Sequence, residues 1–290
     1  MNNAKDLYLY KREGAYIPRI AAVHDLCGYG KCSLGVAIPV LSAAGCDVCP
    51  VPTGLFSAHT RFPKWYMHDT TDMLTDYLDA WVEEGVEVDA IYSGFLGAAE
   101  QVEAIQRLYR EHPKALRVVD PVMGDGGQKY VTYTDELCDA MAALADGADL
   151  LTPNLTEVSI ITGMPYQGQD VDDAYVRAAI DALLERGAKN VVLKSVVRGD
   201  GLIRNYLAGV DCDLAEVSGE LLPYMLHGTG DLYASALLGA IMAGQSLYDS
   251  VAFASELVVD AMRVTSQQPD FEVRGVSFEP TLGKMTSLLA

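Results

Sequence analysis

The chain has 290 residues, of which 50% are hydrophobic and 8% aromatic, so it contains enough apolar side chains for a sizeable core. Its formal charge of −19 and its pI near 4.5 argue against nucleic acid or anionic lipid as a partner. The first 20 residues are polar and charged, and no apolar run approaches the length of a membrane span. We therefore expect a cytoplasmic protein whose six cysteines are reduced thiols.

The first half of the chain alternates predicted strands with predicted helices. Short apolar runs predict strands at 19–23, 47–53, 90–93 and 116–119. Apolar residues at helical spacing predict helices at 32–44, 70–84 and 102–109. Pro39 lies within the first of these helices and should kink it or mark its first turn.

The second half continues this alternation and adds a hairpin. Strands are predicted at 149–151 and 190–195, with a hairpin over 202–217. Helices are predicted at 134–145, 174–186, 231–243 and 247–264. Strands that alternate with helices are typical of an open α/β fold, in which a mostly parallel central sheet is covered on both faces. Because no linker or repeat is visible, we expect a single domain over 1–290 with its core at about 19–264.

Polar side chains follow most of these predicted strands. Since ligands of an open α/β sheet bind outside the carboxyl ends of the strands, we expect a binding site at that edge. The residues at these ends are His24, Asp25, His59, Thr60, Gly94, Asp120, Asp125, Thr152, Asn154, Glu157, Lys194 and Ser195.

The sequence Gly-Thr-Gly-Asp at 228–231 opens the helix that follows the hairpin. The first N–H groups of a helix have no intrahelical acceptor, so Gly228, Thr229 and Gly230 are predicted to hold a negative charge. Asp231 would then lie within reach of the bound group and could accept a proton from it. Judged from this stretch alone, Asp231 could equally be a helix-capping residue.

Asp120 and Glu157 follow neighbouring predicted strands and suit Mg²⁺, which takes one or two carboxylates together with substrate phosphates and water. Asn154 could fix a phosphate or a metal-bound water. Lys194 could reach a phosphate, or it could instead pair with an acid. These groups together favour phosphoryl transfer, which depends on positioning and electrostatics.

Four motifs in this order resemble the ribokinase-like superfamily, and within it they are most similar to pyridoxal (vitamin B6) kinases. They are Ser-Ala-His-Thr at 57–60, Asp-Pro-Val-Met-Gly-Asp at 120–125, Thr-Pro-Asn-x-x-Glu at 152–157 and Gly-Thr-Gly-Asp at 228–231. The resemblance covers about residues 20–264.

The resemblance implies a ribokinase-like three-layer sandwich without a separate lid domain. It also implies transfer of the ATP γ-phosphate to the 5′-hydroxymethyl group of pyridoxal, pyridoxamine or pyridoxine, with Mg²⁺ and a monovalent cation (K⁺), in a homodimer. The resemblance implies that Asp231 is the general base and that Gly228, Thr229 and Gly230 form the anion hole. It implies that Asp120 and Glu157 bind magnesium and that the nucleotide is bound by Asn154, Glu157, Lys194 and Ser195. It also implies that the acceptor is bound by Asp25, His59 and Thr60, and that Thr152 lies near the monovalent cation.

Other acceptors stay open at this point. A related branch that phosphorylates both pyridoxal and hydroxymethylpyrimidine has a reactive cysteine where this chain has His227, so a covalent thiohemiacetal at that position is excluded. The alternatives are a hydroxymethylpyrimidine or sugar kinase of the same superfamily, or a ribokinase-like binding protein without turnover. The sequence leaves open the roles of His227 and of segment 128–133.

Overall fold

The computed structural model describes residues 3–290 and consists of a central sheet between two layers of helices. The strands are β1 (Arg19–Cys27), β2 (Asp47–Phe56), β3 (Met67–Asp69), β4 (Ala90–Ser93), β5 (Leu116–Val119), β6 (Gly124–Asp125), β7 (Gln128–Lys129), β8 (Leu150–Leu151), β9 (Asn190–Val197), β10 (Leu202–Gly209) and β11 (Cys212–Glu220). The helices are α1 (Leu34–Ala43), α2 (Leu74–Glu83), α3 (Gln101–Glu111), α4 (Asp135–Ala145), α5 (Leu155–Thr162), α6 (Asp173–Glu185), α7 (Thr229–Met242), α8 (Leu247–Thr265), α9 (Phe271–Arg274) and α10 (Leu282–Ser287).

The main sheet has nine strands in the order β11-β10-β9-β8-β5-β4-β1-β2-β3. Its pairs from β2 to β9 are parallel, whereas β3 at one edge and β10 and β11 at the other pair antiparallel. The mostly parallel sheet is therefore confirmed. Because parallel strands point the same way, the carboxyl ends of β1, β4, β5, β8 and β9 meet at one edge.

Each face of the sheet is covered by its own apolar core. On one face, α2 to α6 bury side chains such as Ile91, Met141 and Ile180. On the other face, α1, α7 and α8 bury Leu41 and Leu237. All residues of α7 from 232 to 242 are buried, so this helix is held on every side. The predicted three-layer α/β architecture is confirmed.

The structure differs from the sequence-based prediction at several elements. β1 continues to Cys27, so His24 and Asp25 lie within the strand and not after it. Helix α5, the edge strand β3 and the β6–β7 hairpin were not predicted. Pro39 lies in the middle of α1, where its missing N–H removes one helical hydrogen bond, and not in the first turn.

The strand predicted to end at Ser195 continues to Val197 but is irregular there. Ser195 has a φ of +66°, which is rare for a residue with a side chain. The pairing of β9 with β10 changes register at the same place. The backbone N–H of Ser195 donates to Asn205 Oδ1 at 3.0 Å, and this hydrogen bond stabilises the distortion. Within 3–290, no helix is both long and apolar enough to cross a membrane.

Candidate active site

A cavity of about 530 Å³ opens at the carboxyl edge of the sheet. It is lined by every residue to which the sequence assigned a catalytic, anion-hole, nucleotide, acceptor or magnesium role. These residues are Asp25, His59, Thr60, Asp120, Asn154, Glu157, Lys194, Ser195, Gly228, Thr229, Gly230 and Asp231. The topology therefore brings together side chains that are more than 200 positions apart in the chain, as from Asp25 to Asp231.

The first turn of α7 forms the floor of this cavity. Gly228 precedes the helix with a φ of +80°, and a Cβ there would lie 2.0 Å from the carbonyl oxygen of Lys31. Only a glycine allows this close approach. Leu232 N–H donates to Gly228 O at 2.9 Å, so the N–H groups before Leu232 precede the first helical hydrogen bond. The residues that carry them line the cavity, at the end of the helix where its dipole favours an anion.

Asp231 lies in this first turn and does not cap it. No side chain caps the start of α7 within the described residues, so the capping alternative for Asp231 is wrong. Burial raises the pKa of Asp231 to about 7, with help from the negative charge of Asp120, while a backbone hydrogen bond from Ser33 opposes the shift. A carboxyl group with a pKa near neutrality is well suited to accept a proton in a reaction.

Asp120 is buried directly after β5 and is held by two partners. Its Oδ1 accepts hydrogen bonds from Thr152 Oγ1 at 2.8 Å and from the ammonium group of Lys194. Lys194 thus pairs with an acid, as one of the two sequence alternatives predicted, yet its Nζ would lie only 3.9 Å from a Cβ on Gly230. The same lysine is therefore close to both the acid and the first turn of α7.

The second oxygen of Asp120 has no partner. Asp120 Oδ2 is buried and makes no hydrogen bond within residues 3–290. A buried carboxylate oxygen is normally satisfied by a donor or a cation, so this atom fits a bound metal ion. No group of three His, Cys, Asp or Glu side chains converges in the described chain, so a metal here would also need ligands from substrate or water.

Asn154 and Glu157 form a capping box at the start of α5. Asn154 Oδ1 accepts from Glu157 N–H at 2.9 Å, and Glu157 Oε2 accepts from Asn154 N–H at 2.8 Å. Glu157 Oε1 also accepts from Met123 N–H, at 3.4 Å. Burial raises the pKa of Glu157, against the opposing charge of Lys194. Both oxygens of Glu157 are therefore engaged by the backbone, unlike those of Asp120.

Two imidazole rings, which together we call the imidazole wall, line the cavity. The rings of His59 and His227 lie 4.2 Å apart between centroids, and Phe62 packs against His59 at 4.5 Å. Burial lowers the pKa of His59 and lowers that of His227 to about 4, which the neighbouring positive groups reinforce. Both rings are therefore neutral at pH 7, so each offers one hydrogen-bond donor and one acceptor.

Asp25 and Thr60 complete this wall in different ways. Asp25 is buried in β1, and burial raises its pKa to about 6, against a hydrogen bond from Ser33. Thr60 is exposed at the mouth of the cavity. The sequence left the role of His227 open, but its place directly before Gly228 could have indicated that it lines the same cavity.

Segment 128–133 folds beside the acidic groups. Gln128 and Lys129 pair with β6, and Tyr130 and Thr132 line the cavity. Burial and the negative charge of Glu157 raise the pKa of Tyr130. At the other end, Tyr224, Val258 and Met262 give the cavity an apolar portion that the sequence analysis did not identify.

Comparisons with known proteins place this chain among related kinases of one family. The sequence model of the phosphomethylpyrimidine kinase family matches residues 38–274. A pyridoxine/pyridoxal/pyridoxamine kinase of Bordetella avium is 32% identical over 276 residues, covering 90% of each chain. A protein of Bacteroides thetaiotaomicron, described as a phosphomethylpyrimidine kinase in a crystal form with pyridoxal, is 33% identical with a TM-score of 0.89, covering 93% of this chain and 96% of its own. A pyridoxal kinase of Lactobacillus plantarum is 28% identical with a TM-score of 0.87, covering 94% and 98%.

The raised pKa of Asp231 predicts a stability effect in the absence of ligands. Between its ordinary value and about 7, the folded state holds a proton that the unfolded state has lost, so stability falls as pH rises through this window. Asp231→Asn should therefore stabilise the protein at pH 8 by about 1 to 3 kcal/mol, and much less at pH 4. Urea unfolding at both pH values measures this.

Asp211→Asn serves as the control, because Asp211 is an exposed acid in the β10–β11 turn. If Asp231→Asn is no more stable than the unmodified protein at pH 8, the proposed burial of this charge is wrong.

Proposed function

Because this chain belongs to the phosphomethylpyrimidine kinase family, we propose that it transfers the γ-phosphate of ATP to the 5′-hydroxymethyl group of pyridoxal, pyridoxamine or pyridoxine. One observation carries the proposal. A single cavity holds the free N–H groups of α7, a carboxyl group with a pKa near 7 and a buried acid with one unpartnered oxygen. These are the parts that phosphoryl transfer to an alcohol requires.

The reaction proceeds by direct displacement. The acceptor hydroxyl attacks the γ-phosphorus, a new O–P bond forms, and the bond to the β-phosphate oxygen breaks to release ADP. Asp231 takes the hydroxyl proton. The N–H groups at 228–230 and the nearby Lys194 stabilise the negative charge of the phosphoryl group in flight. Asn154 and Ser195 contact the nucleotide.

Magnesium fits the residues at the acidic side of the cavity. When bound with ATP, Mg²⁺ neutralises the phosphate charge and orients the γ-phosphate. The unpartnered Oδ2 of Asp120 is the oxygen available to hold it. Glu157 lies near Asp120, and its own oxygens stay with the backbone N–H groups of Asn154 and Met123. Lys194 pairs with the other oxygen, Oδ1, of the Asp120 carboxylate.

The imidazole wall and Asp25 bind the acceptor ring. His59 and His227 are neutral and can each donate and accept one hydrogen bond, which suits the hydroxyl and carbonyl groups of a B6 vitamer. Phe62 supports the His59 ring from behind. Thr60 lies at the mouth of the cavity and closes the acceptor side.

The family description favours a second candidate acceptor, a hydroxymethylpyrimidine. The same residues would perform that chemistry, because both acceptors are heteroaromatic rings with a hydroxymethyl arm. The relatives named as kinases of pyridoxal and its congeners are the reason to rank the B6 vitamers first.

Three further features belong to the proposal because the resemblance implies them. They are a monovalent cation (K⁺) near Thr152, a homodimer and a location in the cytoplasm. Thr152 is fully buried next to Asp120, so a cation there would act on the same acid. Comparing activity in KCl and NaCl tests the first, and sedimentation tests the second.

Acceptor-dependent ADP release tests the proposed function. We expect turnover of ATP with pyridoxal, pyridoxamine or pyridoxine, and none with buffer alone. Hydroxymethylpyrimidine and ribose are measured on the same plate. Turnover of a pyrimidine or a sugar with no B6 vitamer active would contradict the proposal, and no turnover with any acceptor would indicate a binding protein.

Asp231→Asn should lower turnover by about 10² to 10⁴, because general-base catalysis contributes that much. Nucleotide affinity should change little, since the amide keeps the shape of the carboxylate. Steady-state rates and nucleotide titrations check both parts. An unchanged rate would remove Asp231 from the role of base.

His59→Ala should raise the concentration of vitamer needed for half-maximal rate while the KM for ATP stays the same. The reason is that His59 lines the cavity in contact with His227, whereas the nucleotide is assigned to Asn154 and Lys194. His68→Ala is a matched control, because His68 is exposed on β3. A selective loss of ATP binding would refute this assignment of His59.

A further inference from the structure

After α8 the chain returns to the active site through residues 274–276, which we call the C-terminal strap. None of its three residues lines the cavity. The strap is fixed at its far end, since Val276 and Phe278 are buried in the core around α7 and α8. In addition, Ser277 N–H donates to Thr265 Oγ1 at 2.7 Å. The strap is therefore anchored to the body of the protein.

The strap binds two active-site loops through its backbone. Lys31 N–H donates to Arg274 O at 3.1 Å, and Lys31 belongs to the turn at 28–31 that joins β1 to α1. Val276 N–H donates to His227 O at 3.0 Å, and His227 directly precedes the anion hole. Hydrogen bonds on either side of Gly275 thus hold loops from opposite ends of the chain.

The contact between the strap and the two loops leaves no room for a side chain at Gly275. Gly275 has a φ of +92°, and a Cβ there would lie 2.8 Å from His227 O and 3.2 Å from Lys31 O. The same Lys31 oxygen is the atom that packs against Gly228. The backbone of the strap at Gly275, that of the turn at Lys31 and that of the loop at 227–228 are therefore in direct contact. Moving one of them must move the others.

The imidazole wall is in contact with this junction. A Cβ on Gly30 would lie 2.0 Å from His59 Cδ2, and His59 N–H donates to Tyr29 O at 3.2 Å, so His59 leans on the turn at 28–31. The ring of His227 packs against that of His59 at an interplanar angle of 45°. Both imidazoles thus take their positions from loops that the strap holds together.

Side chains reinforce the same contact from outside the cavity. Lys31 forms an ion pair with Glu279, which follows the strap, and its Nζ lies 5.4 Å from the ring centroid of Phe278. The guanidinium group of Arg274 lies 5.0 Å from the ring centroid of Tyr29. The strap is therefore tied to the turn by its backbone and by its neighbouring charges.

We infer that the C-terminal strap holds the imidazole wall and the anion hole at a fixed separation, with Gly275 as a positioning residue for phosphoryl transfer. The inference rests on the proposed function. A displacement of about 1 Å at a reacting centre can cost about a hundredfold in rate, so a shift of a few tenths of an ångström at this junction matters. The affinity for ATP should change little, because the proposed nucleotide contacts lie outside the junction: Asn154 caps α5, and Lys194 and Ser195 lie on β9.

The test is Gly275→Ala, compared with Gly85→Ala. Gly85 also has a positive φ, of +64°, but a Cβ there would meet nothing within 4 Å, so this control carries backbone strain without the contact. For Gly275→Ala we expect kcat/KM for pyridoxal to fall about tenfold or more, while the dissociation constant of ATP without acceptor stays within about twofold. Glu279→Gln should show the same pattern more weakly, because it loosens Lys31 alone.

Amide hydrogen exchange gives a readout that does not depend on activity. Exchange at 28–31 and 226–229 should accelerate in Gly275→Ala and stay unchanged in Gly85→Ala. The inference is overturned if Gly275→Ala keeps full acceptor efficiency, if ATP affinity falls as much as acceptor efficiency, or if Gly85→Ala loses as much. If the unmodified chain phosphorylates no vitamer, the proposed function is wrong, and exchange at the two loops alone decides whether the strap holds them.

Discussion

The free N–H groups at the first turn of α7 are the constraint on which the site depends. The helix is buried along 232–242, so its positive end cannot move toward a ligand and the ligand must come to it. The parallel strands end at the same edge and bring Asp120 and Lys194 beside that turn. The position of one helix in the core thus decides where negative charge can be held.

Electrostatics then decide which ligand is suitable. The chain carries a net charge of −19, and Asp25, Asp120, Glu157 and Asp231 all line the cavity together with one buried lysine. Burial raises the pKa values of Asp25, Glu157 and Asp231, so ionising these carboxyl groups in the folded chain costs free energy. A free nucleotide would add to the repulsion, whereas a nucleotide that brings its own divalent cation relieves it.

Much of this arrangement could be predicted from local sequence. The buried strands at 90–93 and 116–119 have the predicted bounds, because short apolar runs covered on both faces leave a clear pattern. Asp120 was identified from its position directly after one of these strands. Helix α5 was missed although its capping signature, Asn154 followed three residues later by Glu157, was present in the sequence.

Other parts depend on contacts between distant residues, which no local pattern encodes. The pairing of Lys194 with Asp120 joins residues 74 positions apart, so the sequence could only offer it as one of two alternatives. The extension of β1 through Asp25 and the distortion at Ser195 are likewise set by neighbouring strands. The junction at Gly275 needed all three loops in place before the role of that glycine could be recognised.

The capping box at Asn154 and Glu157 has a consequence for how this site can diverge. Each side chain serves the cavity and also secures the start of α5, which packs against the core. A mutation that retuned the acidic side of the cavity would therefore also loosen a helix, and selection would act on both effects together. Even glutamine at this position, which could keep the hydrogen bond from Asn154 N–H, would turn an amide NH2 towards Met123 N–H, so each replacement that removes the carboxylate also gives up a backbone contact.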